Sequence, residues 1–181
     1  MNLREPSNLF GGQPPRRWVA IDFETTGIWS RDPSTGVIEV AVVIYERGDE
    51  VDRWSTLVDP EVQVSDFIVN LTGITSEAID ATGVNRGVAR HELQERLKDA
   101  DWVIAHNMDF DRHGLAWLGV HVPEANRFCT MVNLVPDSEK WPRLSEALAH
   151  FGLEQIGTPH RAETDARSAG RIFLEMVRRG W

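Results

Sequence analysis

The chain has 181 residues, 41% of them apolar and 26% charged, with one cysteine and a formal net charge of −9. That is the length of one domain with a single core, and its acidity speaks against a protein that tracks phosphates over a long nucleic-acid footprint. Cys129 alone excludes an intramolecular disulfide and a cysteine-based zinc site; no apolar run nears the roughly 20 residues that cross a bilayer, and Met1 to Arg17 has no secretory apolar stretch, so a cytoplasmic location is expected.

In chain order, residues 1–16 hold Pro6, Gly11, Gly12, Pro14 and Pro15 without periodicity and read as a flexible leader before a domain spanning 17–181. Trp18 to Glu24 (WVAIDFE) is a nearly continuous apolar run ending in acids, the pattern of a buried central strand; Thr25-Thr26-Gly27 then turns the chain. Val37 to Tyr45 is a second β-rich run, Arg47-Gly48-Asp49-Glu50 breaks it, and Val51 to Val58 supplies a third, which predicts a three-stranded meander. Ala89, Leu93, Leu97 and Ala100 then recur as on one helix face. Trp102 to Ala105 reads as a short buried strand, Phe110 to Leu118 as a helix and Phe128 to Leu134 as a further strand. Leu144, Ala147, Leu148 and Phe151 predict a helix stopped by Gly152. The last helix carries Ala162, Ala166, Ala169, Phe173, Met176 and Val177 on one stripe. Strands first and helices interleaved later point to an α/β or α+β domain on a mixed sheet.

Three blocks carry the chemistry. Asp22 and Glu24 stand two apart on a predicted strand, so both carboxylates project from one face, at the strand end where α/β folds commonly place ligands. Carboxylates held together among apolar neighbours repel each other and are costly to desolvate. A divalent cation removes that cost, and hard oxygen ligands favour Mg²⁺ or Mn²⁺ over zinc; capping of the turn amides is the alternative for Asp22. Ala105-His106-Asn107-Met108-Asp109-Phe110-Asp111 follows a strand and opens a helix, where a first-turn acid also serves to compensate the dipole. His160-Arg161-Ala162-Glu163-Thr164-Asp165 opens the last helix. There Asp165 lies near core-facing alanines, while His160 by itself also fits an ordinary capping or surface residue.

Together the blocks resemble, in order and spacing, the DEDDh exonucleases, the family of the proofreading ε subunit of bacterial replicative polymerases, ribonuclease T and oligoribonuclease. The family's Asp-x-Glu-Thr-Thr-Gly stands here as Asp22-Phe23-Glu24-Thr25-Thr26-Gly27. Its His-Asn-x-x-Phe-Asp is His106 to Asp111, its His-x-Ala-x-x-Asp is His160 to Asp165, and Leu71-Thr72-Gly73-Ile74-Thr75 looks like its Leu-Thr-Gly-Ile-Thr turn. The resemblance runs from about Arg17 to the C-terminus.

It implies an α/β, ribonuclease H-like fold, a mixed central sheet of about five strands flanked by helices. It implies a 3′→5′ exonuclease, DNA favoured, that hydrolyses the terminal phosphodiester and releases nucleoside 5′-monophosphates with two Mg²⁺ or Mn²⁺ ions. In such enzymes Asp22, Glu24 and Asp165 would hold the tighter ion, with Asp22 bridging to a second and Asp111 completing the set, partly through water. One ion would acidify a water and the other stabilise the leaving 3′ oxygen. His160 would be the general base, a side chain that titrates near neutrality. Thr25, Thr26 and Ile28 would lie against the terminal nucleotide, Ile28 as an apolar wedge, with Phe110 near the last bases and His106 and Asn107 behind the site or at the phosphate. For Ile28 and Phe110, core packing is an equal reading. The implied partner is a single-stranded nucleic-acid 3′ end and no membrane; ribonuclease T-like relatives dimerise to build their site, so a homodimer stays open.

Three features depart from the pattern. Asp109 adds an acid the second block does not need, and Cys129-Thr130-Met131 stands where many relatives carry Asp-Thr-Leu. Trp181 follows the last helix without the tail that ties a proofreading subunit to its polymerase, so polymerase association is not expected. Arg161, Arg167, Arg171, Arg178 and Arg179 are either phosphate collectors or solvated helix-face charge. An exoribonuclease acting on RNA ends or short oligonucleotides, a non-catalytic end-binding module and a two-metal phosphatase are the competing classes. A decayed binder usually loses one of the five active residues, and all five stand here.

Overall fold

The structure, a computed structural model, describes residues 3–5, 7–135 and 140–181. The predicted meander forms: β1 (Arg17–Thr25), β2 (Val37–Glu46) and β3 (Asp49–Leu57) pair antiparallel in succession. Three helices follow, α1 (Asp66–Thr72), α2 (Ser76–Thr82) and α3 (Arg86–Leu97). β4 (Trp102–Ala105) then adds parallel to the free side of β1, and β5 (Arg127–Cys129) parallel to β4, with α4 (Met108–Leu118) between them in sequence. α5 (Thr130–Leu134), α6 (Leu144–Phe151) and α7 (Ala162–Arg178) complete the chain. The strand order β3-β2-β1-β4-β5 is the mixed five-stranded α/β sheet that the sequence predicts.

β1 is central because both of its faces are apolar. Trp18 and Ala20 pack with Phe173 and Met176 of α7, while Val19, Ile21 and Phe23 pack with Leu93 of α3 and Leu115 and Leu118 of α4. Two glycines allow the close helix approaches that place the site. A Cβ on Gly114 of α4 would lie 2.7 Å from the Phe23 ring, and one on Gly170 of α7 would lie 2.7 Å from the Tyr45 ring. β3 is the opposite case, with Asp49, Glu50, Asp52 and Arg53 exposed or half-exposed along a sheet edge, where charge discourages edge-to-edge pairing.

Four local expectations change. Phe128 to Leu134 is a strand only as far as Cys129; from Thr130 it is helical. Ala100 lies beyond α3, whose buried residues are Ala89 and Leu93. The Leu71 to Thr75 turn is a helix stop followed by a helix start: Gly73 ends α1 at φ 73°, and Thr75 caps α2 by accepting the Ala78 N–H. In the segment read as a leader, Phe10 meets Trp102, Phe128 and Phe173 edge-on at 5.2, 5.6 and 5.2 Å, and the Asn8 N–H donates to the Gly180 carbonyl. Pro6, part of that reading, lies outside the described residues. No described helix is long and apolar enough to cross a membrane.

Candidate active site

Alternation along β1 sends Asp22 and Glu24 to the α7 side of the sheet, in line with Trp18 and Ala20. The β1–β2 register shifts between Glu24 and Thr25, an irregularity of the kind that bends a strand and re-aims its side chains. The turn beyond is fastened from within. Thr25 donates its hydroxyl to the Gly27 carbonyl (2.6 Å), and the Thr26 hydroxyl accepts the Gly36 N–H (2.9 Å). Asp111 arrives from the first turn of α4 and Asp165 from the first turn of α7, so two helix N-termini, each a partial positive charge, face the acids.

The ligand atoms of Glu24, His160 and Asp165 lie within 4.8 Å of one another. Asp22 and Asp111 join them electrostatically. Burial, then Asp111, Glu24, Asp165 and Glu39, raises the Asp22 carboxyl well above the usual range. Burial, then Asp165 and Glu39, pushes Glu24 up to about 8 against the pull of Arg161. Asp165 rises to about 6, chiefly through burial, and the hydrogen bond from the His160 N–H opposes the rise. Asp111, 2% exposed, is raised by burial and then Glu24, partly offset by backbone hydrogen bonds, and its buried Oδ1 has no hydrogen-bond partner. The group carries more negative charge than its surroundings satisfy. The donors are hard oxygens, so the residues present fit Mg²⁺ or Mn²⁺.

This predicts a pH effect whose sign is fixed. An acid whose pKa is raised on folding binds more protons folded than unfolded, so stability falls as pH rises between the two values. For Glu24 that window runs from its ordinary 4.5 to about 8, and for Asp165 from 3.8 to about 6. In chelator the melting temperature should therefore drop between pH 5 and 8, and Mn²⁺ should raise it more at pH 8 than at pH 5. A metal-free melt that is flat or rising across that range contradicts the repulsive cluster.

His160 sits exposed at the rim with its backbone in the left-handed region, φ 57°. Its N–H donates to Asp165 Oδ2 at 3.2 Å, and Gln155 Nε2 reaches Asp165 Oδ1 at 3.4 Å. A cleft of about 440 Å³ opens beside them, bordered also by Arg143 of the segment entering α6. A second hollow, about 210 Å³, is lined by Ile28, Trp29, Ser30, Asn107, Asp109, Phe110 and His113. Ile28 is 47% exposed, which fits a surface wedge better than a core residue. Trp29 lies 6.4 Å from Phe110 and stacks on His113 at 6.1 Å. Trp29 and His113 were not singled out from sequence. The signals were an indole directly after Ile28 and an imidazole three residues after Phe110 on one helix, the spacing at which side chains become neighbours.

Of the two readings open for His106, behind the site or at the phosphate, its surroundings fit the first. It is buried, with Nδ1 bonded to Thr130 Oγ1 at 2.9 Å and Nε2 to the Pro142 carbonyl at 3.0 Å, so neither ring nitrogen is free. It ties the end of β4 to α5 and to the approach of α6. The hydroxyls of Thr25 and Thr26 likewise hold the turn together. Asn107, by contrast, is exposed and makes no side-chain cap bond at the start of α4. The α7 arginines are engaged: Arg161 with Glu39, Arg167 with Glu50, Arg178 and Arg179 with Glu175, and Arg171 with the Glu154 carbonyl. They fit helix-face charge rather than a phosphate track.

Comparison with known proteins places this geometry among nucleases. The RNase_T family model, described as an exonuclease, matches residues 19–173. The chain is 31% identical over 170 residues to the 3′-5′ exonuclease DinG of Bacillus subtilis, covering 90% of this chain and 18% of that protein. It is 29% identical over 173 residues to a PolC-type DNA polymerase III of Thermotoga maritima, covering 88% and 12%. The chain thus spans less than a fifth of the length of these curated relatives. In fold it is similar to the nuclease domain of 3′hExo, a DEDDh family member, bound to rAMP, with a TM-score of 0.67 at 21% identity, covering 91% of this chain and 93% of that one. It is also similar to E. coli Exonuclease I in complex with a dT13 oligonucleotide, with a TM-score of 0.68 at 17% identity, covering 88% and 40%.

Proposed function

The chain belongs to the RNase_T exonuclease family, and from that premise we propose that it is a DEDDh-type 3′→5′ exonuclease that hydrolyses the terminal phosphodiester at the 3′ end of a DNA strand, releasing nucleoside 5′-monophosphates. The observation that carries this reading is the gathering of Asp22, Glu24, Asp111 and Asp165 from β1, α4 and α7 into one mutually repelling group with His160 at its rim. In this reading Asp22, Glu24, Asp111 and Asp165 would hold the divalent cations. Such cations, when bound, supply Lewis acidity at the phosphoryl oxygens and lower the pKa of a bound water.

The remaining work falls to side chains. His160 takes the proton of the attacking water, from a position open to solvent through which that proton can leave. Ile28, Trp29, Phe110 and His113 offer apolar and aromatic faces for the last bases, an interaction tolerant of sequence because every base has a π-face. The engaged α7 arginines and the net charge of −9 suit a short footprint at a strand end, with salt dependence weaker than that of a long basic groove. Preference for DNA rests on the DNA polymerase III relative, while the 3′hExo nuclease domain bound to rAMP favours the exoribonuclease reading.

The test is a degradation ladder on matched 5′-labelled DNA and RNA oligonucleotides, with Mg²⁺, Mn²⁺ or excess chelator. Single-nucleotide shortening of DNA from a free 3′ hydroxyl is expected with Mg²⁺ or Mn²⁺, and none in chelator. A blocked 3′ end should stop it; a blocked 5′ end should not. Faster shortening of the RNA strand selects the exoribonuclease reading, and full activity in chelator sinks the two-metal mechanism.

A further inference from the structure

Beside the four acids lies a fifth carboxylate that the reaction does not use. Glu39 stands on β2 directly opposite Glu24 of β1, and residues paired across antiparallel strands project to the same face. It is 2% exposed, and its charge adds to the repulsion on Asp22, Glu24 and Asp165. A buried charge in so unfavourable a place needs partners, and it has three bonds. Arg161 Nη2 donates to Oε1 at 2.6 Å, Arg161 Nε to Oε2 at 3.1 Å, and the Ala162 N–H to Oε2 at 2.9 Å. The last is one of the orphan amides at the start of α7, and the helix has no side-chain cap of its own there. The carboxylate of β2 therefore caps a helix that begins 123 residues further along the chain.

We propose that the Glu39–Arg161 clamp is a positioning device for His160. Asp165 is held by a seventeen-residue helix packed on β1 and β2. His160 lies outside that helix, in a left-handed backbone conformation that disfavours most L residues. Among the described residues it is held through its neighbours: the Asp165 carboxylate accepts its N–H, and the next residue is fixed to Glu39 by a two-pronged bond. Loss of that bond leaves the acids in place and frees the imidazole. A misplacement of about 1 Å is enough to lower turnover by roughly 10²-fold.

This inference rests on the exonuclease reading of the same site, and charge-conserving variants test it. Glu39→Asp withdraws the carboxylate by one methylene, and Arg161→Lys replaces a planar fork by a point donor that cannot bridge both oxygens. The charge around the acids stays the same in both. Expected for each is a roughly 10²-fold lower kcat on a 5′-labelled oligonucleotide with a free 3′ hydroxyl, with KM and calorimetric Mn²⁺ affinity within about threefold of the parent protein and a cooperative melt. A merely structural role would not divide kcat from Mn²⁺ affinity in this way. Unchanged kcat in Arg161→Lys overturns the positioning role, and so does a parallel loss of kcat and Mn²⁺ affinity. If Glu39→Asp does not fold, Arg161→Lys decides, because the Arg161 side chain is 44% exposed. A parent protein with no cleavage at all sinks the exonuclease reading, and the inference with it.

Discussion

Asp111→Asn is expected to abolish nearly all cleavage in a folded protein, while Asp109→Asn leaves turnover close to that of the parent. Both acids stand in the first turn of α4. Two steps of a helix turn a side chain by about 200°, so only one of them can face the acidic group; Asp109 borders the neighbouring hollow instead. The structure turns Asp111 inward at 2% exposure with Oδ1 unpartnered, and leaves Asp109 with its side chain 81% exposed, paired with Arg112 at 2.8 Å. An amide at 111 has nearly the same shape but no charge to offer a cation. The loss should be roughly 10³-fold, the scale on which deletion of one preorganised polar group lowers turnover. A second readout guards against a folding artefact. Without cations, Asp111→Asn removes one member of a repelling group, so its melt in chelator should equal or exceed the parent's. The rise in melting temperature on adding Mn²⁺ should shrink. Asp109→Asn gives up a charge that favours the helix N-terminus by typically 0.3–1 kcal/mol, a small loss of stability at most. An inactive Asp109→Asn beside an active Asp111→Asn would mean that the second block is read in the wrong register.

The five candidate residues were legible because three blocks resemble one family in order and spacing; short-range rules place the four acids but leave each block, and His160 above all, open when read alone. Period-two alternation puts Asp22 and Glu24 on one face, and Asp111 and Asp165 fall in the first turns of helices that announce themselves by 3.6-residue periodicity. What escaped the sequence depends on distant partners. Glu39 is one acid within a run of nine buried strand positions, Val37 to Tyr45, and an interior charge there is itself a signal. Its meaning came only with Arg161, 122 residues away. His106 stayed open to a phosphate contact because the atoms that occupy its ring, on Thr130 and Pro142, lie 24 and 36 residues on. α1 and α2 were missed because each is only seven residues long, too short to display a periodic face, although Ser65 and Thr75 mark both N-caps. β5 was overextended because Phe128 to Leu134 is apolar enough for strand or helix, and the bond from Thr130 to His106 goes with the chain turning helical there.

On the proposed reading the acids are committed to the cations, and His160 takes the proton of the attacking water, so its replacement is expected to give the other large effect. His160→Ala should lower turnover by roughly 10²–10⁴-fold, the range typical of a lost general base. Its backbone complicates that result, since φ 57° is a conformation in which Ala pays a steric penalty. His160→Asn removes this objection, because Asn is among the residues that tolerate the left-handed region, yet its amide cannot take a proton near neutral pH. Both variants should be equally slow, and both should still start at the 3′ end. Calorimetry with Mn²⁺ then separates base from ligand. The imidazole lies within 4.8 Å of the Glu24 and Asp165 oxygens, close enough to contribute a ligand nitrogen. If His160 is the base, Mn²⁺ affinity persists within about threefold while turnover falls. If affinity falls in step with rate, His160 belongs among the ligands, and another group must take the proton. Near-parental turnover in His160→Asn would remove the imidazole from the chemistry altogether.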